Sequence, residues 1–204
     1  MAEGLLMVVS GPSGVGKGTV CRHLLQKNPE LAMSVSMTTR SPRRGEEEGK
    51  SYFFTTRDTF VKLREEGAFL EWAQVYGDLY GTPRRFLEEQ RDLGKDILLE
   101  IDTQGARQVK ESYPRGVFVF LLPPSLAELK ARIVKRGTES LDAMAKRLDF
   151  AREEMKSLDI YDYVVINDRV AEAAGRMSAI LAAEKCAAGR NKNLIAKLLK
   201  GGTW

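Results

Sequence analysis

Histidine and cysteine are nearly missing from this chain of 204 residues, which holds one of the first and two of the second. The lone histidine, His23, cannot assemble a histidine metal centre, and its surroundings read as helix surface. Cys21 and Cys186 lack the close spacing of metal ligands, so both read as ordinary thiols rather than as a disulfide or a zinc pair. Long apolar runs are absent too: nothing reaches the roughly 18 residues that a membrane-spanning helix requires. Met1–Gly4 carries no basic segment leading into an apolar stretch, so no secretory signal is expected and the expected location is cytoplasmic. Internal repeats and low-complexity linkers are also lacking. Nor does one sign of charge dominate. Lys and Arg number 32 against 28 Asp and Glu, and the net +4 suits a small anion as well as nucleic acid.

What is present points to one globular unit. With 43% hydrophobic and 29% charged residues, the chain can bury a core and is not disordered by composition. Leu5-Leu6-Met7-Val8-Val9-Ser10 is a short apolar run ending at glycines, as a strand buried on both faces of a parallel sheet reads. Similar runs recur at Ile97–Ile101, Val117–Leu122 and Tyr163–Ile166, and helical patterns follow over 17–27, 103–112, 125–136 and 170–186. Strand alternating with helix predicts an α/β fold, a parallel sheet covered by helices. Segment 34–82 breaks the rhythm with short alternating stretches such as Ser51–Thr56 and Phe69–Val75, and reads as a small, mostly antiparallel inserted lobe. Segment 126–157 carries the charged stretch 137–157 and reads as a helical lid, leaving 1–33, 83–125 and 158–190 as core. The tail, 191–204, has Leu194, Ile195, Leu198 and Leu199 at helical spacing, which predicts a docked terminal helix rather than one lying on a membrane.

Gly11-Pro12-Ser13-Gly14-Val15-Gly16-Lys17-Gly18 follows the first strand and opens the first helix. Glycines there let the backbone turn its N–H groups inward on an anion, the helix adds its positive end, and Lys17 supplies a point charge. This is a P-loop, the cradle of a nucleoside triphosphate. It departs from the usual pattern at one place. Gly18 stands where Ser or Thr normally offers Mg2+ a hydroxyl, so either Thr19 substitutes or the metal is held mainly by water and phosphate oxygens.

The inserted lobe carries Ser34-Val35-Ser36-Met37-Thr38-Thr39-Arg40-Ser41-Pro42-Arg43-Arg44-Gly45, then Tyr52. Arginines in a short Pro- and Gly-bounded loop can converge as planar forks on one phosphate, with Tyr52 and Tyr80 completing the shell. Alone, this loop reads equally well as a solvated basic turn neutralised by Glu46-Glu47-Glu48. The carboxylates decide for a ligand: Glu71 in an apolar stretch, and Glu100 and Asp102 at the end of an apolar strand, where ligands gather in open α/β sheets. Guanine presents N–H donors on its Watson–Crick edge and rewards acidic acceptors.

Taken in order, Ser34–Tyr52, Glu71-Trp72 with Tyr80-Gly81-Thr82, and Glu100-Ile101-Asp102 with Gly105 resemble guanylate kinase, over about Leu5 to Ala183. That resemblance implies a P-loop NTPase-type core with a GMP-binding lobe at 34–82, a helical lid, and transfer of the γ-phosphoryl group of ATP to GMP with Mg2+. It implies that Ser36, Arg40, Arg43, Tyr52, Glu71, Tyr80, Thr82, Glu100 and Asp102 line the GMP site. ATP would meet Gly11, Pro12, Ser13, Gly14, Val15, Gly16, Lys17, Gly18, Thr19, Arg132, Asn167 and Asp168. Lys17, Arg43, Arg136 and Arg147 would be catalytic. The expected partners are the small molecules ATP and GMP, with neither nucleic acid nor membrane, and the chain would act as monomer or homodimer. Two rivals remain at this stage: another nucleoside monophosphate kinase, and a catalytically silent relative that binds phosphopeptides.

Overall fold

The computed structural model describes residues 4–135 and 141–201, without the side chains of 135, 141–147, 193 and 194. Its elements run β1 Leu6–Ser10, α1 Lys17–Lys27, β2 Ala32–Met33, β3 Met37–Thr38, β4 Phe53–Phe54, α2 Arg57–Glu65, β5 Phe69–Val75 and β6 Asp78–Pro83. After these come α3 Arg84–Asp92, β7 Ile97–Glu100, α4 Thr103–Ser112, β8 Val117–Leu122, α5 Leu126–Lys135, α6 Leu141–Met155, β9 Tyr163–Ile166, α7 Val170–Cys186 and α8 Lys192–Leu199.

Five strands form a parallel sheet in the order β2-β7-β1-β8-β9. β1 is buried at all of its positions because it lies in the middle, with Val8 opposite Leu99 on one side and Phe118 on the other. Since side chains alternate along a strand, Met7 and Val9 face one layer and Leu6 and Val8 the other. The first layer packs on Val20 and Leu24 of α1 and on Ala173, Ala174, Met177 and Leu181 of α7. The small alanines let α7 come close. The second layer packs on Ala106 and Val109 of α4 and on Leu87 of α3. This is the helix-covered α/β core expected from the apolar runs.

A second sheet, β4-β3-β6-β5, is built from the stretch 37–83, antiparallel except where β3 meets β4. Its own small core stacks Phe60 of α2 on Phe69 of β5, ring centroids 4.4 Å apart, with Leu79 beside them. The structure differs from the sequence reading in three places here and at the tail. The alternating stretch Ser51–Thr56 yields only the short β4, because Thr56 caps α2 by accepting the Thr59 N–H on its hydroxyl at 3.2 Å. Helices α2 and α3 were not evident in the pattern. The terminal helix forms as α8, but Ile195, Leu198 and Leu199 remain exposed, so it does not dock its apolar side as expected. Among the described residues, no helix is long and apolar enough to cross a membrane. Cys21 is a buried free thiol and Cys186 an exposed one.

The Phe60–Phe69 stack carries the second sheet, so Phe60→Ala is expected to cost about 3–5 kcal/mol. Urea unfolding followed by circular dichroism checks this, and a loss below about 1 kcal/mol would refute it.

Candidate active site

The ends of β1 and β7 open onto one cleft of about 200 Å3 that lies between the parallel sheet and the second sheet. One wall is the loop after β1. Gly16 caps α1 in the left-handed conformation, φ 96°, and a Cβ there would stand 2.8 Å from the Asn167 amide. α1 has no side-chain cap and no acid in its first turn, so its positive end is left to an external anion. Lys17 Nζ donates to the Gly11 carbonyl at 2.5 Å, which fixes the ammonium across the loop. Pro12, Ser13, Gly14, Gly16, Lys17 and Gly18 all line the cleft.

Other residues expected at the triphosphate stand behind this wall. Asn167 is buried and its side-chain amide donates to the Val15 carbonyl at 2.7 Å. Arg132 donates to the Val15 and Asn167 carbonyls, each at 3.2 Å, and to Glu128 at 2.9 Å. Both brace the loop from outside the cleft. Gly11 and Val15 are buried within it. Asp168 is exposed and pairs with Arg176 at 3.6 Å. Thr19 is exposed and is not among the residues lining the cleft. Arg136 lies outside the described residues, as does the side chain of Arg147.

The opposite wall comes from the second sheet and its loops. Arg43, Tyr52 and Tyr80 line the cleft. Arg40 stands one layer back. Its guanidinium grips both Glu46 oxygens at 2.8 and 2.9 Å and donates to the Tyr80 hydroxyl at 3.1 Å. Burial works against the Arg40 charge, but Glu46 and Tyr80 outweigh it and keep the group charged. Glu46 also accepts the Arg43 N–H at 2.7 Å, so a single carboxylate shapes the whole turn. Burial, then the nearby Glu100 charge, pushes the Tyr52 hydroxyl up to about 12, and it keeps its proton for donation.

The floor is acidic. Glu71 is only 3% exposed, and one of its oxygens accepts the Thr82 hydroxyl at 2.6 Å, with Ser36 3.4 Å from Thr82. Its other oxygen lies against α4, where a Cβ on Gly105 would come within 2.2 Å. Only glycine fits there. Burial first and the Asp102 charge second raise the Glu71 carboxyl to about 7 in spite of Thr82. Asp102 caps α4, one oxygen accepting the N–H groups of Gln104 and Gly105 at 2.7 and 3.2 Å. Glu100 lies elsewhere on this floor. Its carboxylate reaches to 3.3 Å from the position of a Cβ on Gly18, so it sits against the loop. Asp102, rather than Glu100, is the charge that Glu71 feels.

Of the residues expected at GMP, Ser36, Arg43, Tyr52, Glu71, Tyr80, Glu100 and Asp102 line the cleft while Arg40 and Thr82 do not, and Val75, Tyr76 and Ile101, which sequence reasoning missed, line it as well. Tyr76 is marked by its backbone rather than by its sequence. It occupies the first position of a tight β5–β6 turn with φ 52°, followed by Gly77 at φ 93°, a geometry that favours Asn-Gly. Among the described residues, no group of three or more His, Cys, Asp or Glu is arranged to hold a metal.

An anion cradle with a lysine faces a second polar wall carrying an arginine and tyrosines, over an acidic floor. Such a pair of pockets can bring two phosphorylated molecules end to end. Comparison with known proteins agrees. The guanylate kinase family model matches residues 3–184. Guanylate kinase of Caldanaerobacter subterraneus is 53% identical over 196 residues, covering 96% of this chain and 95% of that protein. Guanylate kinase of Clostridioides difficile is 50% identical, covering 97% of each. The crystal structure of guanylate kinase from Anaplasma phagocytophilum superposes with a TM-score of 0.79 at 38% identity, over 93% of this chain and 90% of that one. With the cradle, the acidic floor and these matches spanning nearly its whole length, the chain belongs to the guanylate kinase family.

Proposed function

We infer that the chain transfers the γ-phosphoryl group of ATP to GMP, giving ADP and GDP. The observation that carries this reading is Glu71, a buried carboxylate braced by Thr82 and set beside Asp102 on the floor of the cleft. Guanine offers N–H donors along the edge that would meet these acceptors, whereas adenine would set a ring-nitrogen acceptor against them. Glu71 is poised near neutrality, and donors from the base favour its ionised form. Ser36 and Thr82 support the same end.

Arg43, Tyr52 and Tyr80 are the groups for the acceptor phosphate, with Arg40 holding Tyr80 in place. The loop from Gly11 to Gly18 and Lys17 take the donor phosphates. Arg132 and Asn167 keep that loop in shape. Arg136 and Arg147 are assigned to the transferring phosphoryl group by family resemblance. Little covalent work falls to the protein, since the phosphate acceptor is already ionised at neutral pH. What remains is to align the two substrates, neutralise charge and exclude water. Mg2+, when bound with ATP, supplies charge neutralisation on the phosphate oxygens. Glu100, an oxygen donor lying against Gly18, fits a hard cation and would hold it, directly or through water, where the usual hydroxyl is missing. On this reading 34–82 is the acceptor lobe, 126–157 the lid, and the enzyme is cytoplasmic, acting as monomer or homodimer without nucleic acid or membrane.

A coupled assay of ADP release is expected to show GMP as the preferred acceptor over AMP, CMP and UMP. Faster turnover with AMP would defeat the guanine reading, and GMP binding without ADP formation would favour a silent binding module. Lys17→Ala and Arg43→Ala should fail at different steps. The first is expected to lower turnover by about 100-fold or more through donor use, the second to raise the KM for GMP by about tenfold while also slowing transfer. Steady-state kinetics with each substrate varied checks this.

Glu71→Gln should weaken GMP by about tenfold or more and leave ATP within about twofold, by titration calorimetry. The same variant tests the buried charge. The folded protein holds the Glu71 proton more tightly than a free glutamate, whose ordinary value is 4.5. Stability from that proton is full below 4.5 and is lost as pH rises through about 7. Glutamine carries no charge to desolvate, so the ligand-free variant is expected to melt above the wild type at pH 8, with the gap closing towards pH 4.5.

A further inference from the structure

Helix α6 touches residues from both walls of the cleft, Tyr76 and Ser13, through side chains four apart, hence on one helix face. Phe150 meets Tyr76, at the tip of the β5–β6 turn, with ring centroids 5.4 Å apart. One turn later the Glu154 carboxylate accepts the Ser13 N–H at 3.2 Å. Ser13 lines the cleft within the glycine-rich loop read as the anion cradle. Burial, the largest influence, raises the Glu154 carboxyl, while the Lys17 ammonium and the Ser13 N–H favour its charge. A carboxylate desolvated beside a cradle lysine and a cradle N–H meets the surroundings of a bound phosphate oxygen.

We propose that Glu154 is an internal stand-in for a donor phosphate: it holds the Ser13 N–H of the loop when the loop is empty and must release it when the triphosphate arrives. This rests on the reading of the loop as the donor site. The contact gives a part-buried loop N–H a partner and ties α6 to the loop. Its cost falls on the donor. Glu154 and the incoming phosphates carry charge of the same sign and compete for the same donor group, so the carboxylate lowers donor affinity and shortens donor residence. Glu154 is therefore a residue that tunes donor affinity, set outside the group of residues that touch the reacting atoms.

The competing account makes Glu154 a brace that shapes the loop for its ligand, and the two accounts predict opposite signs. Under the stand-in, Glu154→Ala is expected to bind the non-hydrolysable analogue AMP-PNP with Mg2+ about tenfold more tightly than the wild type, by titration calorimetry. Glu154→Gln keeps the size of the side chain and removes its charge, and it should tighten binding in the same direction by about threefold or more. Inorganic tripolyphosphate, which reports on the loop without the base, should follow the same order. Unchanged or weaker AMP-PNP binding by Glu154→Gln would overturn the proposal and leave Glu154 as a brace. Failure of the wild type and of both variants to bind AMP-PNP at all would overturn the donor-site reading, and this proposal with it.

Discussion

A carboxylate buried as deeply as that of Glu71 survives in a fold only where its surroundings are built to receive it, and much of the acceptor side follows from that need. The β5–β6 register sets Glu71 directly opposite Thr82, whose hydroxyl takes one carboxylate oxygen. The other oxygen needs α4 close by, and glycine at 105 removes the side chain that would keep it away. α4 is then tied to β5 by Gln108, whose side-chain amide donates to the Trp72 carbonyl at 2.7 Å and whose oxygen accepts the Trp72 N–H at 3.2 Å. Because Asp102 caps the same helix, docking α4 on β5 also fixes the distance between the two acids.

The parallel sheet decides where this acidic floor meets the anion cradle. β1 and β7 are neighbours, with Val9 opposite Glu100, so the loop leaving β1 and the Glu100-Ile101-Asp102 corner leaving β7 emerge side by side. Adjacent parallel strands release their chains in the same direction, and two segments remote in sequence meet above one edge of the sheet. The helices covering both faces hold those strand ends rigid. The lobe and α6 close the space from opposite sides, and Tyr76 touches Phe150 where they meet.

The core was legible in the sequence because its signals are local. A buried parallel strand is a continuous apolar run, and β1, β8 and β9 stand close to where their runs predicted them. The cradle was equally legible, since a glycine-rich turn between strand and helix is a contiguous pattern. The lobe was legible as a mostly antiparallel insertion, but its strand bounds were not, because β3 and β4 are only two residues long and pairing rather than propensity creates them. Helix α2 was hidden for a different reason: its mean character is polar, and only Phe60 is buried along it. At the site, residue types could be listed but their layering could not. Arg40, Arg132 and Asn167 carry the right chemistry, yet they stand behind the cleft and act on Tyr80 and Val15. Tyr76 and Glu154 escaped notice because what marks them is a backbone angle in one case and a contact across 141 positions in the other.

The placement of charge gives the cleft a direction. Carboxylates occupy its floor, at Glu71, Asp102 and Glu100, while cationic and hydroxyl groups occupy the walls, at Lys17, Arg43, Tyr52 and Tyr80. A nucleoside monophosphate is itself polarised, with a dianionic phosphate at one end and N–H donors at the other. Entering phosphate first towards the floor would set like charges together in a partly desolvated space, which costs more than any hydrogen bond regained there. Only the other orientation matches donors to acids and phosphate to the arginine and tyrosines. On the proposed reading, Glu71 and Asp102 would therefore do two things: select the base by its hydrogens, and repel the phosphate from the wrong end. Repulsion of this kind needs no close contact, so on that reading Asp102 would serve it while its own oxygen remains engaged in capping α4.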